Sequence, residues 1–266
     1  MKILSYDLET FPNVAYVWGK YEQDVIEYVE EGHLLSWSAK WLGGKLITKG
    51  LDDYPGYKSG SRDDKALVKD LHELFNEADI LIAHNGDQFD IRKANERFLH
   101  YALPPPEPYK TIDTKKVAKR YFYFNSNSLN ELGKHLGLGE KVKHPGFQLW
   151  LDCKAADPKA WALMKKYNKQ DVVLLEQIYI VLRPWIQTHP PVAMRGSCPN
   201  CGSPSLQSRG QGFNKRGSYN KYQCKNCGAW STGPREGGRE TSPRMPNTNV
   251  TRTRTTSRKH KVLVHH

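Results

Sequence analysis

No run of apolar residues approaches the roughly eighteen that a membrane span requires. An acidic residue, Asp7, interrupts the opening "MKILSYDLET" too early for the apolar stretch of a secretory leader. The expectation is an intracellular protein without a membrane anchor. No internal repeat occurs, which argues against a repeat architecture. Cysteine is scarce, with five in 266 residues. Cys153 stands alone, and the other four form two C-x2-C pairs, Cys198 with Cys201 and Cys224 with Cys227. Without a secretion signal such pairs read as metal ligands rather than disulfides.

Acidic charge is missing from one end. Residues 195–266 hold 14 Lys and Arg against 2 Asp and Glu, a net +12, which equals the formal charge of the whole chain. Residues 1–194 are balanced at 26 of each sign. So concentrated a basic region suggests a polyanionic partner, nucleic acid before an anionic membrane surface, with a solubility tail as the plain alternative. From about 233 onward large apolar groups become rare, so burial cannot offset the entropy of ordering. A disordered basic tail is expected over 233–266.

What remains is ordinary globular composition, 38% apolar and 11% aromatic, in a chain long enough for one full core and a smaller module. "KILSYDLE" reads as an opening strand, and "NVAYVWGKY", "DVIEYV", "HLLSWSAKWLG" and "GKLITKGL" follow as further strands between Gly, Pro and charged turns. Beyond Asp63 the apolar residues Leu67, Leu71, Leu74, Phe75 and Ala78 take helical spacing, and the strand "DILIAHN" comes next. "FDIRKANERFLHYAL" reads as a helix, as does "SLNELGKHLGL", with Ser128 as N-cap and Glu131 three residues on. A long helix is predicted from near Pro158 to just before Pro184. Strands followed by mixed elements make an α/β domain over 1–188, and "THPPVAMRGS" reads as a linker.

Three acidic pieces stand out. Asp7 and Glu9, two apart in a strand, point to one face at the strand's end, where α/β sites form. Asp90 falls in the first turn of a helix after "HNGDQF", where capping is a competing explanation and Asp87 competes for the same cap. Tyr167 and Asp171 share one side of the long helix, turned outward from the buried Val172, Leu175 and Ile178. Tyr109 and Asp113 repeat that spacing ahead of another helix, where Asp113 reads as a cap.

In combination and order, Asp7 with Glu9, Asp90, and Tyr167 with Asp171 resemble the DEDDy branch of the DnaQ-like 3'-to-5' exonucleases. The resemblance spans roughly residues 1–185, and "SWSAKWLG" and "YNKQDVVLL" are similar to phage-encoded members. A histidine branch would need His near position 166, which is Lys here. The resemblance implies a ribonuclease H-like mixed sheet flanked by helices, with two Mg²⁺ or Mn²⁺ ions held by Asp7, Glu9, Asp90 and Asp171. It further implies that Asp7 bridges the ions, with Glu9 and Asp171 on the water side and Asp90 on the leaving side. Tyr167 would orient the attacking water, its phenol being a poor base at neutral pH.

The second module places 22 residues between Cys201 and Cys224, and four thiolates in two turn-borne pairs suit one tetrahedral structural Zn²⁺. Gly202 and Gly228 permit the tight turns. A zinc ribbon over 195–232 is expected. Its central hairpin interleaves Arg209, Lys215, Arg216 and Lys221 with Phe213, Tyr219 and Tyr222, suited to phosphates and exposed bases, unless the aromatics form the ribbon's own core. Taken together, the expectation is a metal-dependent 3'-to-5' exonuclease acting on single-stranded DNA ends. Replication or repair proteins are its implied partners, and its setting is intracellular, the cytoplasm of a host cell if the chain is phage-encoded. The same chemistry on RNA or on a structured junction is the nearest alternative, and a non-catalytic zinc-ribbon binder of nucleic acid is one of a different class.

Overall fold

The computed structural model describes residues 1–21, 24–193, 196–215 and 217–233, and divides into two units, Met1–Ile186 and a second beginning at Gln187. The expected basic tail lies outside the described residues, Gly233 apart, as does Arg216.

In the first unit, β1 (Ile3–Phe11) leads into a small hairpin, β2 (Val14–Tyr16) and β3 (Glu27–Glu30), and then into β4 (His33–Trp41) and β5 (Leu46–Gly50). There follow α1 (Lys65–Glu77), β6 (Ile80–Ala83), α2 (Asp90–His100), β7 (Lys110–Asp113), α3 (Thr114–Tyr121), α4 (Leu129–His135), α5 (Gln148–Lys154) and α6 (Pro158–Leu182). The main sheet has the order β5-β4-β1-β6-β7. Its β5-β4-β1 half is antiparallel and its β1-β6-β7 half parallel, so the sheet is mixed. The helix starts follow side-chain capping. Ser128 accepts from the Glu131 amide, Asp157 from that of Lys159 ahead of Pro158, and Asp113 from those of Lys115 and Lys116.

Side-chain alternation separates the two faces of the sheet. Tyr6 and Leu8 of β1 share a face with Trp37 and Ala39 of β4. This face takes α1: Tyr6 meets Phe75 edge-on at 4.9 Å, and Trp37 Nε1 donates to the Leu67 carbonyl at 3.0 Å. Ser5, Asp7 and Glu9 occupy the other face beside Lys40, Ser38 and Ser36. That polar face takes α6, with Lys40 paired to Glu176.

Helix α6 departs from expectation. Tyr167 and Asp171 do not turn outward; they are 7% and 1% exposed. The helix lies against β1 and β4 and also against α3, α4 and α5, which leaves a narrow stripe through Ala162, Lys166, Lys169, Gln177 and Ile180 in solvent and buries the positions of Tyr167 and Asp171. Asp171 stands one turn before Leu175, so the face carrying the apolar residues carries the carboxylate too.

The second unit holds an antiparallel sheet, β8 (Leu206–Asn214), β9 (Gly217–Cys224) and β10 (Trp230–Thr232), in the order β10-β9-β8. Its buried centre is Cys198, Cys224 and Ala229 with Leu206, Cys201 and Cys227 against them. So small a core does not sustain a fold without a staple.

One buried network ties the site-bearing elements of the first unit together. Asp64, fully buried, accepts from the Leu34 amide at the start of β4 at 2.7 Å, from Arg97 Nε and Nη2 at 3.0 and 2.5 Å, and from the Tyr101 hydroxyl at 2.6 Å. Arg97 lies on α2, which begins at Asp90. Asp64→Ala leaves a buried guanidinium without its partner, so a loss of about 3–5 kcal/mol in unfolding free energy is expected by urea denaturation. A loss under about 1 kcal/mol would place the anchoring of α2 elsewhere.

Candidate functional site

Strand β1 brings Asp7 and Glu9 to its C-terminal end on the face that α6 covers. Its register against β4 shifts between Glu9 and Thr10, an irregularity of the kind that re-aims side chains beside active sites. From α6 come Asn168 and Asp171. Asp7, Glu9 and Asp171 each place a carboxylate oxygen within 4.8 Å of the others. Asp7 and Glu9 are half-buried and so reachable from solvent, whereas Asp171 is buried. Asn168 Nδ2 donates to Asp7 Oδ2 at 2.7 Å and to the Asp7 carbonyl at 3.3 Å, which fixes that carboxylate against the helix.

Asp90 arrives from the loop after β6. Asn85 there has φ 72°, in the left-handed region, and its amide donates to Asp113 Oδ1 at 2.9 Å. A side chain at Gly86 would lie 2.3 Å from Ala83 Cβ, so the chain passes only as glycine. His84 is held between Thr114 Oγ1 and the Asn127 carbonyl, both at 2.9 Å. Asp90 opens α2, and its Oδ1 accepts from the Leu8 amide, between Asp7 and Glu9, at 3.2 Å. Its carboxylate is thus tied to β1, and the N-cap position, Phe89, has no side-chain cap. Asp90 is not in the close trio, although its charge reaches Asp7. Asp87 pairs with Lys116 at 2.7 Å.

Lys141, in the stretch before α5, completes the site and was not evident in the sequence. Its Nζ donates to the Tyr167 hydroxyl at 2.9 Å and pairs with Asp171 Oδ2 at 2.7 Å. The Tyr167 ring is wedged against His144, centroids 4.7 Å apart, and Trp150, at 6.3 Å. Lys141 has no local signature, lying 26 residues before Tyr167 in a coil segment. Asn168 had one, since it stands a turn before Asp171.

The acids share an unfavourable setting for charge. Burial and then the charges of Glu9, Asp90 and Asp171 raise Asp7 well above the usual carboxylate range. Burial and Asp171 push Glu9 up to about 8, and burial lifts Asp90 to about 6 against the Leu8 amide that lowers it. Asp171 is raised by burial, with Lys141 and the Tyr167 hydroxyl opposing. Burial disfavours the Lys141 ammonium, but Asp171 outweighs it, so Lys141 stays protonated.

A second ligand set lies in the other unit. Cys198, Cys201, Cys224 and Cys227 bring their sulfurs within 4.8 Å of one another, with the Cys198–Cys227 and Cys201–Cys224 pairs at 3.7 Å. A tetrahedron with metal–sulfur bonds of ~2.3 Å has edges of about 3.8 Å, so the four sulfurs fit one zinc ion. Gly202 and Gly228 have φ 79° and 73° and donate back to the Cys198 and Cys224 carbonyls, closing two matching turns. The Cys224 thiol is lowered to about 7: burial raises it, and the amides of Cys227 and Asn226 outweigh burial. On the hairpin, Arg209 reaches across to Gln223, Tyr219 covers Gly212, and Phe213 and Lys215 are exposed. Phe213, Tyr219 and Tyr222 stand outside the small buried centre.

Comparison with known proteins bears on the fold. A family B DNA polymerase from the hyperthermophilic archaeon Pyrobaculum calidifontis is structurally similar, with a TM-score of 0.51 and 13% identity over 69% of this chain and 25% of that one. The chain therefore spans about a quarter of the polymerase's length. No curated protein matches the sequence. The RNase_H superfamily matches residues 42–183, just over half of the chain, a range that includes Asp90, Tyr167 and Asp171 and begins after Asp7 and Glu9. With its mixed five-stranded sheet between helices, the chain belongs to the RNase H superfamily.

Proposed function

We propose that the chain is a metal-dependent nuclease that removes nucleotides 3'-to-5' from nucleic-acid ends, single-stranded DNA foremost. Residues 1–188 carry the reaction in this proposal, and 195–232 form a zinc ribbon. One observation carries it: the oxygens of Asp7, Glu9 and Asp171 crowd within 4.8 Å in surroundings that disfavour their charge. Crowded carboxylates suit hard divalent cations. Asp171 Oδ1, buried without a hydrogen-bond partner, is a donor left over for one. Asp7, Glu9, Asp90 and Asp171 would hold two Mg²⁺ or Mn²⁺ ions, which when bound supply an activated water and neutralise the leaving oxygen.

The side chains do the remaining work. Asn168 fixes the Asp7 carboxylate; Asp7 would hold both ions, Glu9 and Asp171 would serve the side of the attacking water, and Asp90 would serve that of the leaving oxygen. Burial first, and then Glu9 and Asp171, push the Tyr167 phenol upward, so it keeps its proton and orients the water rather than deprotonating it. Lys141, held by Tyr167 and Asp171, presents a fixed positive charge to the scissile phosphate as negative charge develops there. Arg209, Lys215, Arg216, Tyr219 and Lys221 of the ribbon add grip on the strand, and the setting in this proposal is the interior of a cell, a host's cytoplasm if the chain is phage-encoded, beside replication or repair proteins.

End-labelled DNA and RNA incubated with Mg²⁺ or Mn²⁺ test this directly. Asp7→Ala is expected to reduce nucleotide release by about 10³-fold or more with the fold intact, and Tyr167→Phe to retain partial activity. Wild-type turnover in Asp7→Ala would end the metal assignment, and an endonucleolytic ladder would end the exonuclease.

Crowding also predicts a stability effect. Glu9 titrates near 8 in the fold against 4.5 in its ordinary state, so between those values the folded chain holds the extra proton. Stability without Mg²⁺ or Mn²⁺ then falls as pH rises through this window. Near pH 8, Glu9→Gln should raise the melting midpoint by about 2 °C or more in buffer free of both ions. Added Mn²⁺ should stabilise the wild type more than the variant. Equal midpoints, with and without Mn²⁺, would remove Glu9 from the ligand set.

A further inference from the structure

Helix α3 leaves the sheet beside the acidic site and carries a face that the site does not use. Its start is tied to the loop that bears Asp90: Asp113 takes the Asn85 amide, Thr114 meets His84, and Lys116 reaches Asp87. Lys116, Lys119 and Arg120 stand at i, i+3 and i+4, so they share one side of the helix, and all three are exposed. Val117 and Ala118 are buried, and α3 packs on α6. Tyr123, fully exposed, comes two residues after the helix ends at Tyr121.

The charge balance distinguishes this face from its counterpart. From Lys110 to Asn125 there are five basic groups and one acid, Asp113, whose carboxylate is spent as the helix cap. The β2–β3 hairpin, which leaves β1 just past Glu9, also exposes aromatics, Tyr16 and Trp18 among them. Between Pro12 and Gly32, however, it has one lysine and five acids. A polyanion approaching the end of β1 is repelled by the hairpin and attracted by α3.

The geometry points to the exposed side of α3 as a phosphate-binding strip. Lys119 and Arg120 hold backbone phosphates of the strand whose end lies at Asp7 and Asp171, while Lys116, nearest the site, stays paired with Asp87. Tyr123 offers a ring face to an unpaired base beyond them. Neighbouring positions on such a face are about 5–6 Å apart, a separation that lets long basic side chains meet successive phosphates. The strip rests on the nuclease proposed above and adds to it the path of the substrate away from the reacting end.

The test reverses the charge with Lys119→Glu and Arg120→Glu together in the full chain, and compares two substrates with Mn²⁺. One is an end-labelled single-stranded oligonucleotide; the other is thymidine 5'-(4-nitrophenyl phosphate), whose single phosphodiester is the reacting one and leaves no further backbone phosphate for α3 to hold. For the oligonucleotide, KM is expected to rise about tenfold, and the salt slope to fall by about 0.7 for each phosphate that the strip no longer neutralises. Turnover of the short ester stays at the wild-type level. The charge-conserving pair Lys119→Arg and Arg120→Lys keeps the oligonucleotide KM. An unchanged KM and slope in the reversed-charge variant overturns the strip, as for a face that serves an acidic protein or solvent alone. Ester turnover that falls in parallel also overturns it, because a strip remote from the reaction leaves the chemistry untouched. A wild-type chain that cleaves neither substrate removes the nuclease instead. Anisotropy of a fluorescent oligonucleotide without Mn²⁺ then decides the strip by the same affinity and slope.

Discussion

Asp7, Glu9 and Asp171 repel one another, and the fold holds them within 4.8 Å all the same. Each is raised above its ordinary carboxylate range, so the protein carries the cluster as a stored cost when no cation is present. Much of the surrounding architecture offsets that cost. Asn168 and Lys141 donate into the cluster, and the Leu8 amide restrains Asp90. The serines at positions 5, 36 and 38 keep the α6-facing side of the sheet shallow and polar, so the helix carrying Asp171 lies close to the strand carrying Asp7.

The two units meet a shortage of favourable burial in different ways. The first has a continuous apolar core that runs from Trp37, Tyr6 and Phe75 to Trp161 and Met164 of α6, and can carry strained polar groups at the end of β1. Among its described residues the second has scarcely any apolar core, and its four sulfurs occupy the place a core would fill. A closed set of four thiolates leaves no open position for a reacting group, so its ion would serve folding rather than chemistry. Division of labour follows from the donors: oxygen ligands half-open to solvent in one unit, sulfur ligands in closed turns in the other.

Much of this was legible in the sequence because the local chemistry is explicit. Ser128 and Asp113 act through hydrogen bonds within three residues of themselves, and the prolines at 158 and 184 bracket α6. The paired cysteines needed only their spacing. Pairings between distant segments were not legible. Lys141 joins Tyr167 and Asp171 from a coil stretch with no periodicity, and the register shift at Glu9 depends on which strand lies beside β1. The burial of Tyr167 and Asp171 is not legible, because helical spacing shows which residues share a face but not how many faces are covered. Helices α3, α4 and α5 cover the side of α6 that would otherwise meet solvent.

The most direct measurement is a calorimetric titration of Mn²⁺ into the zinc-loaded chain and into Asp171→Asn. Two Mn²⁺ per wild-type chain, bound more weakly as pH falls because protons compete for the same oxygens, with at least one ion lost in the variant, is the expected result. No binding to the wild type, or identical stoichiometry and affinity in both chains, would show that the crowded carboxylates are not a metal site.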